Sequence, residues 1–178
     1  MVQTIIIGAG NIAGLNEIQK MRLKPATHIG YLKKYKIFKI ENIIDSNEAR
    51  AKQFAKLFKL NALTDLKIFN IKKFDLCIIA VPFKYNLEVI KNISKVKFKP
   101  RVILLEKPLS HNLEVAMKIQ KICQKNKIKL LVNNRRLMES IQLIKKIKKK
   151  PFFVTATCSS GMNAIGTHMI DTLHYLYG

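Results

Sequence analysis

The sequence predicts an α/β protein, with a doubly wound parallel Rossmann sheet and the beginning of a second α/β domain. Its first strand is a β-branched run, residues 4–7, that leads directly into a glycine-rich turn. Apolar segments suited to buried strands then alternate with amphipathic helical segments up to residue 133, a pattern typical of parallel sheets covered on both faces. The 178 residues leave room for one full domain over residues 1–133, and for a linker helix and the start of another domain over residues 134–178.

The first strand ends at the sequence Gly8-Ala9-Gly10-Asn11-Ile12-Ala13-Gly14. A strand, a glycine turn and a helix in this order form the context of a dinucleotide-binding fingerprint. Gly8 can make the tight turn, and Gly10 lets the backbone approach a pyrophosphate because it has no Cβ. Small Ala13 and Gly14 allow close packing of the helix on the strand. We therefore expect a helix over residues 11–20, with its first N–H groups facing the phosphates.

Apolar runs, capping residues and prolines place the remaining elements. The predicted strands cover residues 38–44, 74–81, 101–105 and 128–132, and the predicted helices cover residues 28–35, 46–58, 85–96 and 112–126. Right-handed crossovers bring the carboxyl ends of the strands to one edge of the sheet, where ligands bind. The residues expected at this edge are Gly10, Asp45, Pro82, Lys107 and Asn133.

Asp45 directly follows the second predicted strand. An acidic residue at this place hydrogen-bonds the adenosine ribose, and its charge would repel a 2′-phosphate, so NAD is preferred over NADP. The neighbouring Ser46 and nearby lysines leave NADP open. Asp45 lies farther from the glycines than the usual ~20 residues, which we explain by an insertion over residues 21–35. Asp is also a favoured N-cap residue, so Asp45 could instead only cap the next helix.

The net charge of +22 raises nucleic acid as a partner. However, only five of the 33 basic residues are arginine, and the lysines are spread over predicted helix faces, with one dense run over residues 145–150. This distribution favours a solvated surface over a nucleic-acid patch.

Cys77, Cys123 and Cys158 are widely spaced and form no CxxC pair, which favours reduced thiols over disulfides or a metal site. No apolar run approaches membrane-spanning length, and the first residues lack the features of a signal peptide. We expect a cytoplasmic protein.

Five short motifs occur in order along the chain. They are the glycine turn at residues 8–14, Ala80-Val81-Pro82, Glu106-Lys107-Pro108, Asn134-Arg135-Arg136 and Gly166-Thr167-His168-Met169-Ile170-Asp171. Together they resemble the Gfo/Idh/MocA family of NAD(P)-dependent oxidoreductases. The resemblance implies a Rossmann domain followed by an α/β substrate domain with a large open sheet. It also implies hydride transfer at a nicotinamide, with a sugar, polyol or sugar nucleotide as the usual substrate.

The resemblance implies roles for individual residues. Lys107 would lie between the nicotinamide and the substrate, and His168 and Asp171 would face that position from the second domain. Lys107 or His168 would act as the base, because oxidation of a carbinol requires removal of the hydroxyl proton as hydride leaves. Arg136 would suit an anionic substrate, although it could also simply solvate a loop. The residues expected to contact the cofactor are Gly8, Gly10, Asn11, Ile12, Ala13, Asp45, Pro82, Glu106 and Lys107.

The chain departs from the family pattern at three points. Asn86 stands where many members have a histidine, and Ala164 stands where many have an aspartate before the histidine matched by His168. Members also continue well beyond the position matched by Gly178. We expect this chain to be a truncated, split or decayed form, or to receive the missing surface from another chain. The family generally assembles through the second domain, which implies a homo-oligomer.

Two other classes of function stay open at this stage. A non-catalytic nucleotide-binding or interaction protein would retain the Rossmann unit but lack a complete substrate pocket. A basic nucleic-acid binder would show affinity that falls steeply with salt, and the absence of an aromatic-rich basic patch argues against it.

Overall fold

The structure is a computed structural model that describes residues 1–134, 153, 155, 157 and 166–177. Its backbone divides into two compact units, residues 1–132 and 133–178. Among the described residues, no helix is both long enough and apolar enough to cross a membrane. The sequence also predicts a strand over residues 152–158, and this segment lies largely outside the described residues, as does the lysine run over residues 145–150.

The first unit is built on one sheet with the strand order β3-β2-β1-β4-β5-β6. The four strand pairs from β3 to β5 are parallel, and this order is that of a Rossmann sheet. The predicted fold class is therefore confirmed. The strands are β1 (Val2–Ile7), β2 (Phe38–Ile44), β3 (Asn61–Leu63), β4 (Leu76–Ile79), β5 (Val102–Glu106) and β6 (Lys129–Asn133).

Within the residues that the structure describes, four α-helices accompany the sheet and a fifth lies in the second unit. They are α1 (His28–Lys34), α2 (Glu48–Phe58), α3 (Asn86–Ile93), α4 (Leu113–Lys125) and α5 (Thr167–Tyr177). Three of them begin at a side-chain cap that accepts a hydrogen bond from the N–H three residues later. These caps are Thr27, Asn47 and Asn112, residue types that satisfy the unpaired N–H groups of a helix start.

The core covers both faces of the sheet, because successive residues of a strand point to opposite sides. Ile5 and Ile7 of β1 pack in one cluster with α3 and α4. Ile6, between them, packs in the other cluster with α1 and α2. Since β1 and its neighbour β4 are buried on both sides, they read in the sequence as continuous apolar runs.

The helix predicted over residues 11–20 is wrong. The chain makes a turn over residues 11–14 and then a four-residue 3₁₀ helix, Leu15–Ile18. The carbonyl oxygens of Ile12 and Ala13 accept hydrogen bonds from the N–H groups of His28 (3.1 Å) and Ile29 (2.9 Å) at the start of α1. An uninterrupted helix would have used these carbonyls within the predicted segment itself.

These two hydrogen bonds show that the turn at Ile12 and Ala13 shares one helical path with α1, and that residues between them are looped out of this path. In an α-helix the acceptor lies four residues before the donor, whereas Ile12 lies sixteen before His28. The difference, sixteen minus four, means that twelve residues between Gly14 and His28 are looped out. The insertion predicted over residues 21–35 is thus wrong in its bounds, because α1 is the crossover helix itself. Without the twelve residues, Asp45 would follow Gly10 by 23 positions instead of 35, close to the ~20 of the fingerprint.

Glu17 closes the base of this loop. Its Oε2 atom accepts hydrogen bonds from the Ala26 N–H (2.9 Å) and the Thr27 hydroxyl (2.8 Å). The same carboxylate packs against Gly30 of α1, where a Cβ would collide with it. The Glu17 side chain therefore joins the start of this loop to its end.

Cys77 and Cys123 are buried free thiols, and Cys158 lies outside the described residues. Burial raises the pKa of both described thiols, that of Cys123 to about 11. The two thiols are therefore protonated at neutral pH and serve as small apolar side chains of the core.

Candidate functional site

The glycine turn lies at the carboxyl end of β1, next to the point where the strand order reverses. Gly8 has a φ of +100°, and a Cβ there would lie 2.7 Å from the carbonyl oxygen of Ala80. Its N–H donates to the carbonyl oxygen of Ile44 (2.7 Å) at the end of β2. Only glycine fits both this conformation and this close approach, which is the tight turn that the sequence predicts.

Gly10 lies beside open space, whereas Gly8 is closely surrounded by protein atoms. A Cβ built on Gly10 would meet no protein atom within 4 Å. Among the described residues, the N–H groups of Gly10, Asn11 and Ile12 donate no hydrogen bond. Unpaired N–H groups at the start of a helical path, beside open space, form a site suited to an anion. The residues present thus fit the pyrophosphate of a dinucleotide.

Asp45 is joined to this turn directly. The Ala9 N–H donates to its Oδ2 atom (2.8 Å), and only 5% of the Asp45 side chain is exposed. Its Oδ1 atom accepts from the Asn47 N–H (2.9 Å). Asn47, rather than Asp45, is the N-cap of α2. Asp45 therefore fixes the glycine turn against the start of α2, at the carboxyl edge where the sequence places it.

Arg50 completes the surroundings of Asp45 and was missed in the sequence. Its Nε donates to Oδ2 (2.9 Å) and its Nη2 to Oδ1 (2.7 Å), a bidentate pair from the first turn of α2. With the two N–H donors, these bonds fill the roughly four acceptor positions of a carboxylate. Hydroxyls of a ribose could bind Asp45 only after Arg50 turns away, and 51% of the Arg50 side chain is exposed.

Two opposing effects act on the pKa of Asp45. Burial favours the neutral acid, but the hydrogen bonds from Arg50, Ala9 and Asn47 favour the carboxylate and outweigh it. The pKa therefore lies below its ordinary value of 3.8, and Asp45 is ionised at neutral pH. The same pairing raises the pKa of Arg50.

At the end of β5, Glu106 pairs with His28, which no motif in the sequence singles out. His28 Nε2 lies 2.7 Å from Glu106 Oε1, and the two side chains are only 10% and 15% exposed. Lys107 follows at once and is half-buried. The structure thus brings the Glu106-Lys107-Pro108 motif and the start of α1 to the same edge of the sheet.

Asn86 occupies the position where the family pattern often has histidine. It is fully buried at the start of α3, and its Nδ2 donates to the carbonyl oxygen of Leu109 (3.0 Å). Within the described part of the chain, its Oδ1 accepts no hydrogen bond. Asn86 therefore ties α3 to the loop that follows Lys107, next to Pro82 and the end of β4.

In the second unit, three polar side chains form a chain of hydrogen bonds. Asn134 Oδ1 lies 2.8 Å from His168 Nδ1, and Asn134 Nδ2 donates to Asp171 Oδ2. His168 and Asp171 are three residues apart on α5 and so share one side of the helix. Arg136 and Ala164 lie outside the described residues.

A parallel sheet of this order, with a glycine turn at its switch point, defines a Rossmann protein. The chain belongs to the Gfo/Idh/MocA oxidoreductase family with an NAD-binding Rossmann fold, whose model matches residues 2–134. A comparison with curated proteins gives no match.

Solved structures share the fold at low sequence identity. An Agrobacterium radiobacter oxidoreductase in complex with NAD⁺, L-tartaric acid and magnesium is 20% identical, with a TM-score of 0.76. The WlbA dehydrogenase of Chromobacterium violaceum, in complex with NADH and UDP-GlcNAcA, is 19% identical, with a TM-score of 0.72. Each match covers 99% of this chain and 55% of the other. KijD10, a 3-ketoreductase of Actinomadura kijaniata in complex with NADP, is 17% identical with a TM-score of 0.62, covering 81% and 41%. The chain thus spans about half the length of these proteins.

Proposed function

We propose that this chain is the cofactor-binding part of an NAD(P)-dependent oxidoreductase that acts on an alcohol or ketone of a sugar, a polyol or a sugar nucleotide. The observation that carries the proposal is the open anion site at Gly10, flanked by unpaired N–H groups and by the buried carboxylate of Asp45. Membership of the oxidoreductase family supports the reaction class. The substrate class rests on the family resemblance and on solved relatives such as the one that binds UDP-GlcNAcA.

In this proposal the glycine turn binds the pyrophosphate through the N–H groups of Gly10, Asn11 and Ile12, while Gly8 and Ala13 supply its tight geometry. Once Arg50 has turned away, Asp45 selects the adenosine ribose and favours NAD over NADP. Pro82 and Glu106 line the cofactor at the carboxyl ends of β4 and β5.

The bound nicotinamide supplies the acceptor or donor of hydride. The protein must then move a proton, because an alcohol loses its hydroxyl proton as it loses hydride. Lys107 and His168 are the candidates for this step, and Arg136 and Asp171 are candidates for substrate contacts. A homo-oligomer is part of the same proposal.

The test is a titration of the purified chain with NADH and, separately, with NADPH, followed by nicotinamide fluorescence. Gly10→Val is the matched variant, since its side chain would enter the open space without meeting protein atoms. We expect saturable binding by the wild type and a loss of at least about tenfold in affinity, or about 1.4 kcal/mol, in the variant. A folded wild-type chain that binds neither cofactor would refute the proposal, whereas binding without turnover of any sugar would favour a non-catalytic nucleotide-binding protein.

A further inference from the structure

We infer that Asn134 is a positioning residue that fixes the tautomer of His168, with Asp171 fixing Asn134 in turn. The hydrogen-bond chain runs from Asp171 Oδ2 through the Asn134 amide to His168 Nδ1, with 2.8 Å between Asn134 Oδ1 and His168 Nδ1. All three side chains lie within the second unit.

The direction of each hydrogen bond follows from which atoms can donate. An ionised carboxylate only accepts, so Asp171 must face the NH₂ end of the Asn134 amide. The carbonyl end of that amide then faces His168. Because a carbonyl oxygen also only accepts, His168 Nδ1 must carry a proton.

The proton on Nδ1 determines the chemistry of the other ring nitrogen. In a neutral imidazole one nitrogen donates and the other accepts. With Nδ1 protonated, Nε2 carries the lone pair and is the atom that can take a proton. A second group that sets the tautomer of a histidine in this way is common where histidine acts as a base.

This arrangement gives His168 a hydrogen-bond acceptor although the chain has Ala164 in place of the aspartate of the family pattern. The family pattern often has an aspartate there as a partner for the histidine, and this chain has none at that position. The Asn134–Asp171 pair supplies an acceptor to His168 from elsewhere in the second unit. The use of Nε2 as a proton acceptor in alcohol oxidation rests on the proposed function, whereas the tautomer itself does not.

The tautomer can be read directly by NMR, from the two-bond ¹H–¹⁵N correlations of the imidazole rings at about pH 8, above the ordinary histidine pKa of about 6.5. We expect His168 to be protonated at Nδ1 in the wild-type chain. His28 provides an internal contrast, because its Nε2 donates to Glu106 and should carry the proton. A wild-type spectrum with His168 protonated at Nε2 would overturn the inference without any variant.

Two variants test the chain of bonds. Asn134→Leu, of similar size but without an amide, should shift His168 toward protonation at Nε2. Asp171→Asn can donate as well as accept, so it no longer fixes which end of the Asn134 amide faces His168, and the proton should then be shared between Nδ1 and Nε2. A proton that stayed wholly on Nδ1 in this variant would refute the role of Asp171. An unchanged His168 spectrum in a folded Asn134→Leu variant would refute the role of Asn134.

NADH affinity serves as the separate readout of the proposed function. We expect it to change by less than about threefold in Asn134→Leu, since the residues proposed to contact the cofactor lie in the first unit. Loss of NADH binding in the wild type would refute the cofactor proposal and leave the tautomer result standing. A tautomer at Nε2 together with intact NADH binding would refute only the positioning role.

Discussion

His28 Nε2 and Glu106 Oε1 lie 2.7 Å apart, although 78 residues separate them along the chain. His28 begins α1, which leads from β1 to β2, while Glu106 ends β5 on the other side of the switch point. The contact therefore spans the carboxyl edge of the sheet, where ligands of this fold bind.

Replacing His28 should destabilise the fold because Glu106 would lose a nearly buried donor. We expect His28→Leu to lower the free energy of unfolding by about 1.5–3 kcal/mol, the usual range for a hydrogen bond to a charged group. His28→Gln retains a donor and should lose less. The measurement is urea denaturation followed by circular dichroism.

The control for this prediction is His111→Leu, since His111 is exposed. Substitutions at such surface positions usually change stability by no more than about 0.5 kcal/mol. If His28→Leu and His111→Leu had the same small effect, the His28–Glu106 contact would not contribute to stability.

Local sequence patterns were sufficient for most of the first unit. The run Thr4–Ile7 and the segment around Cys77 predict buried strands because both of their faces are apolar, and Thr27 and Asn112 mark helix starts through their side chains. The three-residue strand β3 was missed because Asn61–Leu63 is too short to show a period.

What the sequence could not show depends on contacts between distant residues. The prediction of a helix over residues 11–20 is wrong because Ile12 and Ala13 accept hydrogen bonds from α1 across a loop of a dozen residues. No local sequence pattern indicates this pairing. Arg50 was missed because a helical arginine usually signals only a solvated surface. The spacing from Asp45 to Arg50, five residues from a strand end to the first turn of a helix, was the signal available.

Lowering the pH should selectively weaken the contribution of Asp45 to stability. Its pKa in the folded state lies below the ordinary 3.8, so the ionised carboxylate stabilises the folded state. This stabilisation is fully present above the unfolded-state pKa and is lost as the pH falls through the folded-state value. We expect Asp45→Asn to cost about 1–3 kcal/mol at pH 7 and less at pH 3, measured by urea denaturation.

Asp65→Asn is the matched control for the pH series. Asp65 is exposed and pairs with Lys67 at 3.2 Å, so its loss should change stability by less than about 1 kcal/mol at pH 7. A cost for Asp45→Asn that stayed constant from pH 7 to pH 3 would contradict the direction of the pKa change.

Removing Arg50 should change which cofactor the chain prefers. In the wild type, the positive charge of Arg50 offsets the negative charge of Asp45, and Arg50 places a guanidinium where it could bind a 2′-phosphate. In Arg50→Ala the Asp45 carboxylate gains two acceptor positions for ribose hydroxyls and would repel the phosphate. We expect the ratio of the NADPH and NADH dissociation constants to rise at least about tenfold, equivalent to about 1.4 kcal/mol, in a fluorescence titration.

Lys52→Ala removes another cation from α2 and is the control for Arg50→Ala. Lys52 is exposed and pairs with Glu48 at 2.6 Å, away from Asp45. An equal change of the ratio in both variants would mean that overall charge, and not the Asp45–Arg50 pair, sets cofactor preference.

Two glycines of the same turn should respond oppositely to an added methyl group. A Cβ on Gly14 would lie 2.5 Å from Cζ of Phe54 and 2.8 Å from Cε2 of Phe58, and both rings are buried in the core. A Cβ on Gly10 would meet nothing within 4 Å. Overpacking a close-packed core costs about 1–3 kcal/mol, so we expect Gly14→Ala to lose that much stability in urea denaturation and Gly10→Ala to stay within about 0.5 kcal/mol of wild type.

The affinity for the cofactor should follow the reverse order at a temperature where both variants are folded, because only the methyl group of Gly10→Ala enters the proposed pyrophosphate site. A Gly10→Ala variant that lost stability but kept full NADH affinity would show that Gly10 serves the fold and not the ligand.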